Sequence, residues 1–320
     1  MERGRGEAEH MNNHIILFGS ANFTVPVAEA LHAIPDVALA AVVAQPDKPK
    51  GRGQVLASPP TKTWAETHGI PVVQPEKLDD TFLASLASFV PTIGIIASYG
   101  KIIPQSVLDT FPKGILNVHP SLLPKHRGAT PIQTTILKGD TETGVTLMLT
   151  DAEMDHGPII AQERFALSGT ETSAALHDAL AQLGARMLTD MFPKWFAGTI
   201  TPHEQEHERA TYTKALTRED GRVDWNGSAV EIERMVRAFD PWPGTFTVLP
   251  DGKRLKILEA KVVNGPDAEP GTLSAQNQLP VVRTADSWLA LHRVQPEGKK
   301  PMNGKAFLSG YGALLEKQLS

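Results

Sequence analysis

The chain has 320 residues, 31 of them basic and 36 acidic for a net charge of −5, and 41% are hydrophobic; that is enough for two domains with a substantial core and excludes a disordered chain. There is no cysteine, which excludes disulfides, thiolate metal sites and a cysteine nucleophile and fits a reducing compartment. The mild acidic balance argues against a general nucleic-acid coat while leaving room for a local basic patch, and no apolar run approaches the ~18 residues that suggest a membrane span.

Residues 1–10 (MERGRGEAEH) are polar, lack the apolar stretch of a signal peptide, and carry acidic residues unsuited to a mitochondrial presequence. They are expected to be a flexible extension, with Met11 an alternative start. His14–Gly19 reads as a buried strand ending in glycine, Thr24–Ile34 as a helix and Val37–Ala44 as a second strand. Residues 45–60 read as a Gly/Pro-rich loop, a kind that is usually functional or disordered. Pro59 and Pro60 can open a helix running to about His68. Pro71–Val73 is a short strand, Leu78–Phe89 a helix and Thr92–Ala97 a buried strand. Gly114–Val118 follows as another, because it alternates and is β-branched. Pro131–Leu137 suits a helix and Thr143–Leu149 a strand. Over 172–196, Leu176, Leu180, Leu183, Met187 and Met191 recur at helical spacing.

This alternation predicts an α/β, Rossmann-like fold: a mostly parallel sheet with helices on both faces, filling residues 11–202. The polar stretch 203–214 after Pro202 reads as a linker. From 215 to 320 the pattern changes. A helix near Ala229–Ala238 precedes short segments at Thr245–Leu249, Leu255–Val263, Val281–Thr284 and Leu289–Val294, separated by Gly and Pro turns. A smaller C-terminal β-barrel, OB-like, is expected. No internal repeat is evident.

The strand at 114–118 runs into a cluster of polar groups. Asn117 and His119 are two apart, so they share a face at its carboxyl end, where open α/β sheets bind ligands. Pro120 stops the ladder, and Pro124 and Gly128 shape an irregular loop. Asp155, in the loop after the strand ending near Leu149, would reach the imidazole if that loop folds over the same edge. A carboxylate there would favour the charged ring and fix its orientation, while Asn117 could donate to a developing oxyanion. Together the three suit acyl transfer without a covalent nucleophile. On spacing alone, an Asn/His pair merely satisfied at a strand end would read the same.

Asn117-x-His119 followed by Ser121-Leu122-Leu123-Pro124 resembles the signature of the folate-dependent formyltransferases. Residues 125–133 (KHRGATPIQ) and 139–146 (GDTETGVT) continue it, and Asp155 falls where that family places its aspartate. Residues 45–53 (QPDKPKGRG), 238–244 (AFDPWPG) and 295–302 (QPEGKKPM) match the branch that acts on transfer RNA, so the resemblance spans roughly 13–315. It implies 10-formyltetrahydrofolate as donor, the α-amino group of methionine on initiator methionyl-tRNA as acceptor, and no metal. It also implies Asn117, His119 and Asp155 as catalytic, Ser121, Leu122, Leu123 and Pro124 lining the folate site, and a C-terminal domain that binds tRNA. A monomer in the bacterial cytoplasm, without membrane attachment, is expected.

The segment from His203 onward is neutral, with 16 basic and 16 acidic residues, and the remainder carries the −5. The cations Lys48, Lys50, Arg52 and Lys62 therefore stand out. Gly51-Arg52-Gly53 suits a loop bringing a cation to a phosphate or base edge, although a solvated surface loop would look alike. The resemblance assigns Arg52, with Lys48 and Lys50, to the acceptor stem. One departure is Gly19-Ser-Ala-Asn-Phe23, where many relatives read Gly-Thr-Pro-x-Phe; Ala21 lacks the ring constraint. The run is not Gly-x-Gly-x-x-Gly, so a dinucleotide is not indicated.

His203-Glu-Gln-Glu-His207 matches the zinc-peptidase H-E-x-x-H pattern, which needs a buried helix and a third ligand. Its charged neighbours and Pro202 argue instead for a solvated linker. Trp225, Trp242 and Trp288 are expected in the core of the second domain rather than stacked on RNA, and His126 and His156 are expected as loop residues. Rival readings are formyl transfer to an amino sugar or a purine-precursor amine, a zinc peptidase, and a non-catalytic RNA-binding protein.

Overall fold

The computed structural model describes residues 13–35, 37–50 and 55–320. The expected N-terminal extension, Met11 and Arg52 lie outside the described residues, and Lys50 is described through its backbone alone. The chain forms two compact units: residues up to Ala129 with Thr143–Phe165 and His177–Tyr212, and Thr130–Glu142 with Ala166–Leu176 and Thr213–Ser320. The division is therefore less simple than a boundary at 202 followed by a linker. Two segments that precede residue 202, 130–142 and 166–176, join the second unit, and 203–212 belongs to the first.

In chain order the elements begin with β1 (Asn13–Phe18), α1 (Thr24–His32), β2 (Val37–Val43), β3 (Lys48–Lys50), β4 (Val55–Ala57), α2 (Pro60–Thr67), β5 (Val72–Val73), α3 (Asp80–Ala87) and β6 (Ile93–Ile96). They continue with α4 (Gln105–Leu108), β7 (Ile115–His119), β8 (Arg127–Gly128), α5 (Pro131–Lys138), β9 (Glu142–Leu149), β10 (Ile159–Ala166) and α6 (Ser173–Phe196). The first unit is built on a seven-stranded sheet of order β10-β9-β7-β6-β1-β2-β5. Pairing is parallel from β5 through β7, and β9 joins β7 antiparallel. Ile15–Phe18 and Ile93 and Ile95 are almost wholly buried, as unbroken apolar strands covered on both sides should be.

The chain lays β1, β2 and β5 toward one edge, then returns to place β6 on the other side of β1. That reversal opens a crevice beyond the carboxyl ends of β1, β2 and β6, where open α/β sheets bind ligands.

Local chemistry sets the helix ends. Asp79 accepts from the Phe82 amide at 3.3 Å to cap α3, and Pro60 opens α2. Leu176, Leu180, Leu183, Met187 and Met191 on α6 are all buried, so the predicted stripe is the packed one. Residues 45–60 differ from the structureless loop expected: β3 and β4 form a hairpin, Lys48 opposite Ala57 and Lys50 opposite Val55. Three-residue strands hemmed by prolines are too short to leave a period-2 pattern.

The second unit adds β11 (Tyr212–Thr213, at its boundary), α7 (Ala229–Ala238), β12 (Thr245–Val248), β13 (Arg254–Val263), β14 (Leu273–Gln276), β15 (Leu279–Arg283), β16 (Trp288–Pro296), β17 (Met302–Asn303) and α8 (Gly304–Tyr311). It is strand-rich as expected, its sheet running β12-β13-β16-β15-β14 with β17 on β16; among the described residues this hydrogen-bonded path does not itself close. Ser228 and Glu231 form a capping box at the start of α7. Its core includes Trp225, Ile232, Leu255, Leu289, Leu291 and Phe307.

Candidate active site

Strand β7 carries Asn117 and His119 to the carboxyl edge of the sheet, beside β6 on one side and β9 on the other. The loop between β9 and β10 folds back over that edge and brings Asp155 to both. Asn117 Nδ2 donates to Asp155 Oδ1 at 3.1 Å. His119 Nδ1 lies 3.5 Å from the same oxygen. The second carboxylate oxygen accepts the Gly128 amide at 2.7 Å. The three residues proposed from sequence thus meet in one cluster. His119 and Asp155 side chains are only 5% and 13% exposed, so little water competes with these contacts.

Both ring nitrogens of His119 face oxygens, because Nε2 donates to the His126 carbonyl at 3.1 Å. A carbonyl only accepts, so Nε2 is the donor there, and Nδ1 is the nitrogen turned toward the carboxylate. Asn117 has one amide hydrogen left after Asp155 is served and is half-buried rather than sealed. It is the donor available to a substrate oxygen. Asp155 itself has φ of +49°, a left-handed conformation uncommon for a residue with a side chain.

Ser121 to Pro124 turn the chain immediately after β7. Ser121 and Leu123 are buried. Ser121 Oγ donates to the Lys125 carbonyl at 2.6 Å, and Leu123 packs with Met148 and Ile159. Thr146 Oγ1 donates to the Ser121 carbonyl at 2.7 Å and accepts from the Leu123 amide at 3.1 Å. These two side chains therefore shape the turn, whereas Leu122 and Pro124 are half-buried and offer apolar surface.

A cavity of about 400 Å³ lies at the switch point, lined by Ser20, Gln45, Lys48, Ser58, Tyr99 and Gly100 among others. Ser20 Oγ accepts from the Gln45 amide at 2.9 Å, and Gln45 Nε2 donates to the Tyr99 carbonyl at 2.8 Å. Ser20 thus ties the loop that lacks the proline. Burial pushes the Tyr99 phenol up to about 12. Lys48 is exposed, with Nζ donating to Gln45 Oε1 at 2.8 Å. Lys62, one of the cations of the local basic run, pairs with Asp47 at 2.9 Å. Hydrogen bonds from Gln74 and Lys62 hold the Asp47 carboxyl below its ordinary range.

The H-E-x-x-H run lacks the helix that the zinc-peptidase pattern needs. It is not an α-helix: His203 pairs in a β-bridge with Ile159, and His207 begins a 3-10 turn. Among the described residues no cluster of His, Cys, Asp or Glu is arranged to hold a metal, and no helix is long and apolar enough to cross a membrane. Nor is the segment simply solvated, because Gln205 is 4% exposed and contacts the Asp155 turn. Sequence reasoning missed that residue. Trp225 and Trp288 are core residues, their ring N–H groups donating to Thr247 Oγ1 at 3.0 Å and to the Pro266 carbonyl at 2.7 Å. Trp242 is 54% exposed and is not; its flanking prolines, 241 and 243, hold it in the tight turn after α7 rather than in the sheet. His156 pairs with Asp151 at 2.7 Å and stacks on His207 at 4.1 Å.

An amide, an imidazole and a carboxylate meet at the edge of a Rossmann-like sheet, a set chemically suited to acyl transfer, and this chain belongs to the formyl transferase family. The formyl transferase domain matches residues 11–192, and the formyl transferase C-terminal domain matches 215–312. The chain is 44% identical over 303 residues to methionyl-tRNA formyltransferase of Chloroflexus aurantiacus, covering 93% of this chain and 97% of that protein. It is 42% identical over 299 residues to the enzyme of the same name from Myxococcus xanthus, covering 93% and 95%. Among solved structures, the Helicobacter canadensis N-formyltransferase in complex with folinic acid and dTDP-3-aminofucose is similar with a TM-score of 0.65 at 19% identity, over 89% of this chain and all of that one. HypX from Aquifex aeolicus with tetrahydrofolic acid gives 0.62 at 16% identity; 95% of this chain is covered, spanning about half of HypX at 48%. These two likenesses establish the fold alone.

Proposed function

We propose that this chain transfers the formyl group of 10-formyltetrahydrofolate to the α-amino group of methionine on initiator methionyl-tRNA. The observation that carries the reading is the Asn117–Asp155–His119 cluster at the sheet edge, in a chain 44% identical to a methionyl-tRNA formyltransferase over nearly its whole length. The amine nitrogen attacks the formyl carbon and a C–N bond forms. The remaining Asn117 amide hydrogen stabilises the tetrahedral oxyanion. His119 adds to it by exchanging its bond to the His126 carbonyl for the substrate oxygen. The bond from carbon to the folate nitrogen then breaks. A proton leaves the attacking amine and one reaches the folate nitrogen, through His119 or a bound water. Asp155 holds Asn117 and His119 in register throughout.

Ser121 to Pro124 support the donor, with Leu122 and Pro124 as its apolar contacts. Lys48, Lys50 and Arg52 meet the acceptor stem, and the second unit binds the tRNA body. Phosphate contacts of this kind make binding strongly salt-dependent. The protein works as a monomer in the bacterial cytoplasm.

The test is formyl transfer from 10-formyltetrahydrofolate to charged initiator methionyl-tRNA, with elongator methionyl-tRNA and free methionine alongside. Transfer to the initiator alone supports the reading. No transfer to any tRNA by folded protein rejects it and turns attention to amino-sugar acceptors.

A further inference from the structure

The Asp155 turn needs something to hold it, since its backbone is left-handed and its carboxylate serves two other side chains. Gln205, 4% exposed, sits directly behind it. Its Nε2 donates to the Asp155 carbonyl at 3.0 Å and to the Gly157 carbonyl at 2.7 Å, bracketing His156. Its Oε1 accepts from Arg127 Nε at 3.1 Å and Nη2 at 2.7 Å. Both amide hydrogens and both lone pairs are thereby used, so the side chain has one orientation.

Arg127 is itself 2% exposed. Its amide donates to the Thr211 carbonyl at 2.8 Å. Its guanidinium also meets His207 Nδ1 at 2.9 Å and the Tyr212 hydroxyl at 3.3 Å. The next residue, Gly128, donates its amide to Asp155 Oδ2. One short segment thus grips Asp155 twice: at the carboxylate through Gly128, and at the backbone through Arg127 and Gln205.

We infer that Gln205, clamped by Arg127, is a positioning residue that sets the aim of the Asp155 carboxylate on Asn117 and His119. The inference rests on the function proposed above. The competing account is a tie that only fastens residues 203–212 to the first unit. The two differ in what they couple to. A fastening contributes stability whatever residue stands at 155, whereas a positioning residue matters to turnover only while the carboxylate is there.

Gln205→Glu separates them. It keeps the acceptor for Arg127 and puts an oxygen opposite two carbonyls. Wild type, Q205E, Asp155→Ala and the double variant are assayed by single-turnover formyl transfer, with folding checked by circular dichroism and thermal unfolding. The expected result is a loss of at least tenfold in kcat for folded Q205E, KM for both substrates within twofold, and less than a twofold further loss in the Asp155→Ala background. Q205E should also shift the ¹⁵N resonance of His119 Nδ1. If Q205E does not fold, Gln205→Met, an apolar replacement of similar size, takes its place in the same cycle. Equal losses in both backgrounds, or a folded variant with wild-type kcat, would overturn the inference. An inactive wild type would instead sink the proposed function, and the His119 resonance would then decide the positioning role alone.

Discussion

Replacing Asp155 by Asn tests the cluster at the point where all its contacts converge. Each carboxylate oxygen is committed: Oδ1 to Asn117 Nδ2 and His119 Nδ1, Oδ2 to the Gly128 amide. An amide of the same shape has one acceptor. If its nitrogen takes the Oδ2 place it confronts the Gly128 N–H; if it takes the Oδ1 place it confronts two donors. The first orientation is less unfavourable, and it loses one hydrogen bond to a charged acceptor, ~1.5–3 kcal/mol. It also leaves His119 facing a neutral oxygen. The lost hydrogen bond alone corresponds to a fall in kcat of roughly 10- to 200-fold. KM for the formyl donor should stay within about threefold, because no proposed folate contact is touched. The assay is single-turnover formyl transfer with folded variant. A loss of kcat below threefold, or one appearing only in KM, would refute the assignment of Asp155 to the reacting centre.

The remaining predictions address the scaffold. A Cβ at Gly157 would run into the Leu149 carbonyl, a backbone atom that cannot swing aside, so Gly157→Ala should lower stability by ~1–3 kcal/mol in denaturant unfolding; an unchanged midpoint would mean the turn yields. Trp225→Ala should destabilise the second unit by ~3–5 kcal/mol, whereas Trp242→Ala, at an exposed position, should stay within ~0.5 kcal/mol. Hydrogen bonds from Lys214 and Thr217 hold the Asp220 carboxyl far below its ordinary range. A lowered folded value contributes stability above the unfolded carboxylate value of about 3.9 that is lost as pH falls through the folded value. Tm should therefore drop on acidification below about pH 4, and Asp220→Asn should make that drop shallower; identical acid profiles would contradict the assignment.

The central strands were legible because their physics is local. Ile15–Phe18, the buried run of β6, and β7 are apolar and β-branched, and such runs are strands wherever both faces are covered. The α6 stripe was equally plain. β10 was not, because its outer half, residues 162–166, is mostly solvent-facing and leaves no continuous apolar run. α8 was hidden by its glycines at 304 and 310 and declares itself only through the Asn303 cap, which accepts from the Ala306 amide at 2.8 Å. The hairpin at 48–57 was concealed by prolines that read as loop.

The site divides in the same way. Asn117 and His119 lie two residues apart on one strand, so their common face follows from the pleat. Asp155 needed the fold of a loop 38 residues from Asn117, and the sequence could say only that such a fold would bring it near. Gln205 lies 50 residues from Asp155 and 78 from Arg127, inside a charged run whose composition suggests solvent. Nothing local distinguishes a glutamine that saturates four hydrogen bonds in the interior from one that faces water. Yet the left-handed turn that aims Asp155 carries an intrinsic cost of ~1–3 kcal/mol. Its persistence needs contacts from outside the loop, and Gly128, Arg127 and Gln205 are where the fold supplies them. Residues that look like the chemistry can be read from a strand; residues that hold the chemistry in place become visible only when distant segments meet.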